Sequence, residues 1–469
     1  MVAIVSGNGL GVLNSSAGVL GQPGNSGAVH GNGKEAAYLN IFSGNLSLAD
    51  SDDFLAAHGV NVELTRTYNA QGSLNTGNGA NWQYGLSRQV NGLSGTVNTT
   101  GSTVLRTAGD GSVARYTYDA AKAAYVTTDG AGAYQSITFN AATREWSWRA
   151  DRNDLLGTVE VYDSTSNGRL TSVRDLVGVR QVLQYDAAGR LSQVTDAAGA
   201  TGLAGDASNG SNDQTYFDYD AAGNLSQIRH RLASGLTFIR AHYTYDAQNR
   251  LSTASIDLTP DDNSIADGKV YTTTYTYDGA SNRIASVTQS DGTVLQFKYD
   301  LVGADWKVSS FTDGLGRKTT LDYSVPGRTT VTDALGLAAV YGYDAQGRLT
   351  DLGSPPPTAG AAALVTRFFY DASGNVSHVT DARGLDTAYG YDANGNRILE
   401  RDAAGNTVTR AYNLVTNQLL AEARFLTPDA DGAGAGAASV PLTTRYTYDA
   451  NGRLHFLLSP EGRVTEFRY

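Results

Sequence analysis

Aromatic residues along this chain recur at a spacing of two, as in Tyr116/Tyr118, Phe217/Tyr219, Tyr243/Tyr245, Tyr275/Tyr277, Phe297/Tyr299, Tyr341/Tyr343, Phe368/Tyr370, Tyr389/Tyr391 and Tyr446/Tyr448. Residues two apart share one face of a strand. Thr fills many alternate positions, as in TTTYTY from Thr272 to Tyr277, so one face is aromatic and the other small and polar. No stretch shows the i, i+3, i+4 apolar spacing of a long amphipathic helix. The pattern predicts many short strands.

The residues after each aromatic pair fix how the strands end. One word recurs as YDAAGRL (Tyr185, Asp186, Gly189, Arg190), YDAAGNL (from Tyr219), YDAQNRL (Tyr245, Asp246, Arg250), YDAQGRL (Tyr343, Asp344, Gly347, Arg348), YDASGNV (from Tyr370), YDANGNRI (Tyr391, Asp392, Gly395) and YDANGRL (Tyr448, Asp449, Gly452, Arg453). Weaker copies start at Tyr118, Tyr277 and Tyr299. A second word lies between them: VTDAAG from Val194, FTDGLG from Phe311, VTDALG from Val331, VTDARG from Val379 and, more loosely, ERDAAG from Glu400. In both, Asp can bond its own backbone two residues on and Gly supplies a positive φ, so each marks a tight turn. Asp371 and Asp392 stand 21 residues apart, which makes each unit a two-stranded hairpin.

These tandem words resemble the YD repeat of bacterial Rhs and WapA-type toxins and of animal teneurins. The resemblance runs over residues 111–469. Upstream, Tyr38 to Gly72 and the Trp82/Tyr84 segment resemble the module that opens many Rhs proteins, giving an expected division into a flexible Gly/Asn/Ser-rich segment (1–35), an opening β module (36–110) and the repeat region (111–469). The resemblance implies an all-β fold: YD hairpins joined into a curved or spiralling antiparallel sheet, a partial β-cocoon that is hollow and packages a C-terminal toxin. About 15 units make about 30 strands, on the order of 140 Å of sheet. Closed as one ring it would be about 45 Å across, too wide for side chains to fill. Such a sheet surrounds a lumen, winds as a spiral or stays open.

Composition removes several function classes. The chain has 54 Gly, no Cys, and 35 basic against 46 acidic residues for a net charge of −11 without a Lys/Arg run. Disulfides and thiolate chemistry are excluded, and nucleic acid is not an expected partner. The start has no basic n-region before its apolar residues, so no signal peptide is recognisable, and no window is apolar enough for a membrane helix. The expected location is secreted or cell-surface, by a route that reads another signal. The DPxGxxxG-like self-cleaving segment and toxin domain of Rhs toxins are not matched, and the chain ends at EGRVTEFRY, one residue short of the next YD word. A fragment or truncated frame is the expectation, its cargo a C-terminal toxin domain on a longer parent chain.

Four units carry longer polar insertions, Thr201 to Asp213, Leu258 to Gly268, Leu352 to Ala363 and Leu426 to Ser439, which alternation of hairpin turns should place on one edge of the sheet. Acidic residues in two of them, Asp261, Asp262 and Asp267 beside Asn263, and Asp429 and Asp431, are candidate calcium ligands, against which a solvated turn is the plainer reading because the EF-hand spacing is missing. The six histidines are scattered without an H-x-x-x-H pair, and repeated Asp/Arg pairs such as Asp186/Arg190 and Asp449/Arg453 read as turn-spanning bonds, since a catalytic constellation occurs once. No catalytic residue and no cofactor are assigned. Two functions remain: a non-enzymatic shell portion of an Rhs-type secreted toxin used in interbacterial competition or against a host, or a surface adhesin whose Trp82, Trp146, Trp148 and Trp306 would stack on cell-surface glycans.

Overall fold

The computed structural model describes residues 2–13, 15–17, 19, 29, 32, 35–55, 61–77, 79–127, 135–149, 158–174, 180–195, 213–356, 361–414, 416–425, 441–450 and 452–468. Among these, apart from one 3-10 turn at Pro260–Asp262, the regular structure is thirty-six strands, numbered in chain order β1 to β36. The architecture is all-β with a long series of antiparallel hairpins, as the aromatic spacing requires.

Two sheets divide the chain. The first has five strands in the order β1 (Val2–Val5), β2 (Ala36–Asn40), β3 (Leu46–Leu55), β4 (Val62–Asn69) and β5 (Trp82–Tyr84), with β1 parallel to β2 and the rest antiparallel. Strand β1 lies inside the stretch expected to be flexible. Its VAIV sequence buries Val2 and Val5, and that burial favours order at the sheet margin. The second sheet runs from β6 (Gln89–Ser94) to β36 (Val464–Glu466), thirty-one strands in which each described strand pairs antiparallel with the next.

This long sheet winds back on itself near its start. At Gln89, β6 bridges Arg169 of β13 (Arg169–Arg174), Val90 donates to the Gly168 carbonyl at 2.8 Å, and Leu170 donates to the Arg88 carbonyl at 3.2 Å. Eight strands thus close a ring, the size that side chains can fill. Val104, Tyr116, Tyr125, Ile137, Trp148 and Tyr162 are buried in it. The other half of β13, Ser172 to Arg174, pairs with β14 (Arg180–Tyr185), where the sheet leaves the ring and continues. Closure depends on Gly168: its φ is +68°, and a Cβ there would lie 1.8 Å from the Val90 carbonyl oxygen. Gly168→Ala is expected to destabilise the chain by about 2 kcal/mol or more; an unchanged thermal midpoint would contradict this role.

Beyond the ring the wall lies against the five-stranded sheet. Its aromatic face from β16 (Gln214–Tyr219) to β27 (Leu349–Ser354) packs on that sheet: Trp82 meets Tyr275 at 5.0 Å between ring centroids, Tyr84 meets Phe217 at 5.9 Å, and Phe42 meets Tyr343 at 5.1 Å. Backbone joins in, with Val308 donating to the Gly44 carbonyl at 3.1 Å and Thr329 Oγ1 to the Ile41 carbonyl at 2.8 Å. Over β6 to β27 the wall is therefore filled or lined rather than hollow. Phe368 of β28 (Leu364–Tyr370) still belongs to the core, with Tyr370 packed against it, but no residue of β29 (Val376–Thr380) to β35 (Leu454–Leu458) is fully buried.

Three insertions lie after β15 (Leu191–Thr195), β19 (Leu251–Asp257) and β33 (Leu419–Arg424), while the one expected from Leu352 starts later, because Leu352 to Ser354 complete β27 and pair with β28; each lies between an odd strand and an even one. The strand ends that flank them fall on the rim opposite the YD turns. Only the insertion from Leu258 to Gly268 lies wholly within the described residues.

Candidate functional site

The recurring site is the YD turn. In the Tyr185 copy, Asp186 N–H donates to the Arg190 carbonyl and Gly189 N–H to the Asp186 carbonyl, both at 2.9 Å. Asp186 Oδ1 accepts Ala188 N–H and Arg190 N–H, each at 2.9 Å, and Oδ2 accepts Arg190 Nε at 2.8 Å. The copies Asp246/Arg250, Asp344/Arg348 and Asp449/Arg453 repeat the side-chain pairing at 2.7, 2.7 and 2.9 Å. Where Arg is replaced, Asn396 Nδ2 donates to Asp392 Oδ2 at 2.8 Å instead. The left-handed position is taken by Gly189, Gly347, Gly395 and Gly452, and by Asn249 at φ 58° in YDAQNRL. Burial opposes the charge on Asp186 and Asp246, yet the hydrogen bonds of the turn hold both below the usual carboxylate range.

Each turn is followed by a bulge: Tyr185 pairs with Leu191 while Gln184 pairs with Gln193, and the same slip recurs at Tyr219, Tyr245, Tyr343, Tyr391 and Tyr448. The tyrosine of the next unit then accounts for a carbonyl at the bulge. Tyr219 Oη donates to the Leu191 carbonyl, Tyr245 to Leu225 and Tyr448 to Leu419, all at 2.8 Å, and Tyr391 to Val376 at 2.9 Å. Tyr343 departs from this and meets Thr329 Oγ1 at 3.2 Å. Arginine closes the circuit by lying over the next tyrosine ring, Arg190 over Tyr219 at 4.2 Å and Arg250 over Tyr277 at 4.4 Å. Asp thus orients Arg, Arg covers the next Tyr, and Tyr ties back to the bulge: a clasp between neighbouring units, with no carboxylate left facing a substrate.

Arg250 also donates to the Gly279 and Ser281 carbonyls at 2.8 and 2.7 Å. Arg250→Ala is expected to cost about 1–2 kcal/mol, with Arg250→Lys restoring only part because an ammonium lacks the planar fork. Equal unfolding midpoints for Lys and Arg at this position would refute the clasp.

Three charged clusters are buried away from the YD turns. Between the two sheets, Arg66, 0% exposed at its side chain, donates through Nε and Nη2 to both oxygens of Asp52 at 2.9 Å and through Nη1 to Tyr275 Oη at 3.0 Å. Tyr243 Oη donates to Asp52 Oδ2 at 2.6 Å, and Tyr275 Oη to Glu35 Oε1 at 2.8 Å. Trp82 lies 4.7 Å under the guanidinium. Burial disfavours charge on Arg66, but Asp52, Tyr275 and Asp50 outweigh it and hold the guanidinium well above its usual range. Burial, reinforced by Asp52 and Glu35, pushes the Asp50 carboxyl well up. Nearby, His230 bridges Asp53 through Nε2 and Thr215 Oγ1 through Nδ1, the latter at 2.9 Å. Its order resembles a nucleophile–base–acid relay, but Thr215, His230 and Asp53 are all buried, so the set joins the sheets. Inside the ring, Glu160 pairs with Arg106 and Arg88 and accepts from Tyr162, with Arg106 3.6 Å over Trp148. Against the cost of burial, these arginines pull the Glu160 carboxyl down to about 2.

The structure places two further sets of candidate residues. Trp82, Trp146 and Trp148 are core residues, 0%, 4% and 7% exposed, so they offer no platform to a sugar. They are buried because each falls on the apolar side of its strand. Trp306 is 43% exposed, but Arg283 lies over its ring at 4.2 Å. The calcium candidates are also engaged otherwise. Asp262 accepts Ser264 N–H, and Asp267 accepts Lys269 N–H and Thr259 Oγ1. Among the described residues no group of three or more His or acidic side chains could hold a metal ion. Asp429 and Asp431 lie outside the described residues.

Comparison with known families finds a teneurin YD-shell over residues 254–423 and RHS repeats over residues 162–201 and 219–259. A comparison with curated proteins finds no match. Among solved structures, the chain is similar to the crystal structure of TcdB2-TccC3-Cdc42, at 11% identity and a TM-score of 0.38 over 90% of this chain and 30% of that one. It is also similar to the Photorhabdus luminescens Tc holotoxin pore with a TccC3 mutation, at 14% identity and a TM-score of 0.32 over 92% and 26%. The chain thus spans less than a third of the length of either.

Proposed function

Because this chain carries RHS repeats and a teneurin-type YD-shell domain, we propose that it is the non-enzymatic shell portion of an Rhs-type secreted toxin, enclosing or presenting an effector carried elsewhere on a longer parent chain. One observation supports this reading above the others. The tyrosine face that packs against a second sheet over β16 to β27 continues over β29 to β35 without a fully buried residue, and Tyr389, Tyr391, Tyr446 and Leu457 there are only half-buried. A broad apolar face rimmed by polar turns is a surface for a protein partner. Among the described residues, the repeated Asp/Arg pairs are committed to clasps and the Thr215/His230/Asp53 set is buried between layers. The location proposed is the cell exterior or surface.

The test begins by sequencing the parent gene on both sides of this chain. The adjoining variable segment is co-expressed with the chain and digested with a broad-specificity protease. Protection that is lost in the Tyr389→Ser/Tyr446→Ser variant is expected. Digestion at the same rate with and without the chain would overturn the proposal.

A further inference from the structure

Where the two sheets part, beside β1, they leave a cleft of about 980 Å³. One wall is Val2 and Ile4 of the five-stranded sheet; the other is Phe311 of β23 (Asp305–Asp313) and Val331 of β25 (Arg328–Thr332). The rim consists of three successive turns, at 289–293, 313–317 and 333–337. On it stand Leu315 and Leu335, 79% and 85% exposed. Large apolar side chains so exposed at the mouth of an apolar cleft are a mark of a docking surface.

We propose that this cleft takes an extended polypeptide segment carrying two cationic side chains about six residues apart with apolar residues between them, the spacing following from the strand pitch. Each rim turn brings one acid, Asp291, Asp313 and Asp333. The middle one is neutralised by Arg317, whose Nη2 lies 2.6 Å from Asp313 Oδ2. Asp291 and Asp333 have no described cationic partner and lie two hairpins apart. Four strand spacings amount to about 19 Å, the reach of about six residues of extended chain at 3.1–3.3 Å each. Residues i and i+6 point to the same side in both a β-strand and a polyproline II helix, so one segment can present both cations to the rim and its apolar side chains to Phe311 and Val331. Asp291 stays ionised at any working pH, since the backbone N–H of Thr293 and, despite some burial, that of Asn32 hold its carboxyl down to about 2. The cleft is continuous with the packing between the sheets, where a strand-built layer already occupies the same aromatic face, so an extended chain extends an existing mode of contact.

The experiment uses the full chain and a fluorescein-labelled ten-residue peptide with Lys at its second and eighth positions and Val, Leu and Pro elsewhere, followed by anisotropy near physiological salt. Saturable binding is expected. Asp333→Asn and the Leu315→Ser/Leu335→Ser pair, all changes at exposed turn side chains, should each weaken it about tenfold, the equivalent of about 1.4 kcal/mol. A permuted peptide with the two Lys adjacent should bind about tenfold more weakly. Failure to saturate, equal affinity for the permuted peptide, or indifference to the substitutions would overturn the proposal. So would displacement by a neutral alkyl maltoside that ignores Asp333→Asn, which would mark a site for small amphiphiles. No lining residue belongs to β28–β36, so this outcome is independent of the effector test.

Discussion

Replacing Arg66 by Met is expected to lower the free energy of unfolding by about 3–5 kcal/mol, the largest effect foreseen for a single substitution here. Arg66 is the cation paired with Asp52 and 3.6 Å from Asp50, and its removal leaves the Asp52 carboxylate in a dry interface without its counter-charge. It also removes the group held by Asp52 of the five-stranded sheet and Tyr275 of the wall, so the two layers lose their polar register together. Denaturant unfolding, followed by tryptophan fluorescence because Trp82 stacks on the guanidinium, measures the loss. Combining Arg66→Met with Asp52→Asn should recover part of it, since the stranded charge is then removed as well. A loss below about 1 kcal/mol for the single variant would mean that the layers are held by apolar packing alone.

Acid is expected to weaken the ring before it weakens the lined wall. The Glu160 carboxyl is lowered in the folded chain from 4.5 to about 2, so its contribution is fully present above pH 4.5 and is lost as pH falls toward 2. A shift of that size corresponds to stability on the order of 3 kcal/mol. Asp50 acts with the opposite sign: its raised folded value makes its contribution complete in acid and diminishing as pH climbs through that value. Unfolding curves between pH 2 and 5 should be steep for the unmodified chain and flatter for Glu160→Gln, which keeps the shape but no longer titrates. Identical pH slopes for the two proteins would sever the connection between Glu160 and acid sensitivity.

The turn-spanning Asp/Arg bond was legible in the amino-acid sequence because it is local, whereas the ties between units, such as Tyr219 to Leu191 across 28 residues, were not. Tyr, Asp, Gly and Arg of one word fall within a single turn, and repetition exposes the pattern seven times over. The rim on which the strands flanking the insertions end was legible for the same reason, since strand parity is a matter of counting. The buried clusters were not, because Arg66 meets Tyr275 across 209 residues and Asp53 meets His230 across 177. A weaker signal was nevertheless present. Arg66 falls in phase with Val62, Leu64 and Tyr68 of β4, Arg106 with Val104, and Glu160 with Tyr162, so each places a charge on the apolar side of its strand. A charge in that phase requires a buried partner. The ring closure at Gly168 lay in SNGRL, a weak variant of the turn word following Tyr162–Asp163, where nothing local distinguishes its glycine from those that merely turn the chain.

The clasp also sets a rule for growth. A tyrosine needs only the bulge carbonyl and the arginine of the unit before it, and most units supply that carbonyl, so inserting or excising a whole hairpin pair should leave the new junction as well satisfied as the old. Gene duplication could therefore lengthen or shorten such a wall freely, whereas loss of half a unit would turn every downstream tyrosine toward the wrong rim.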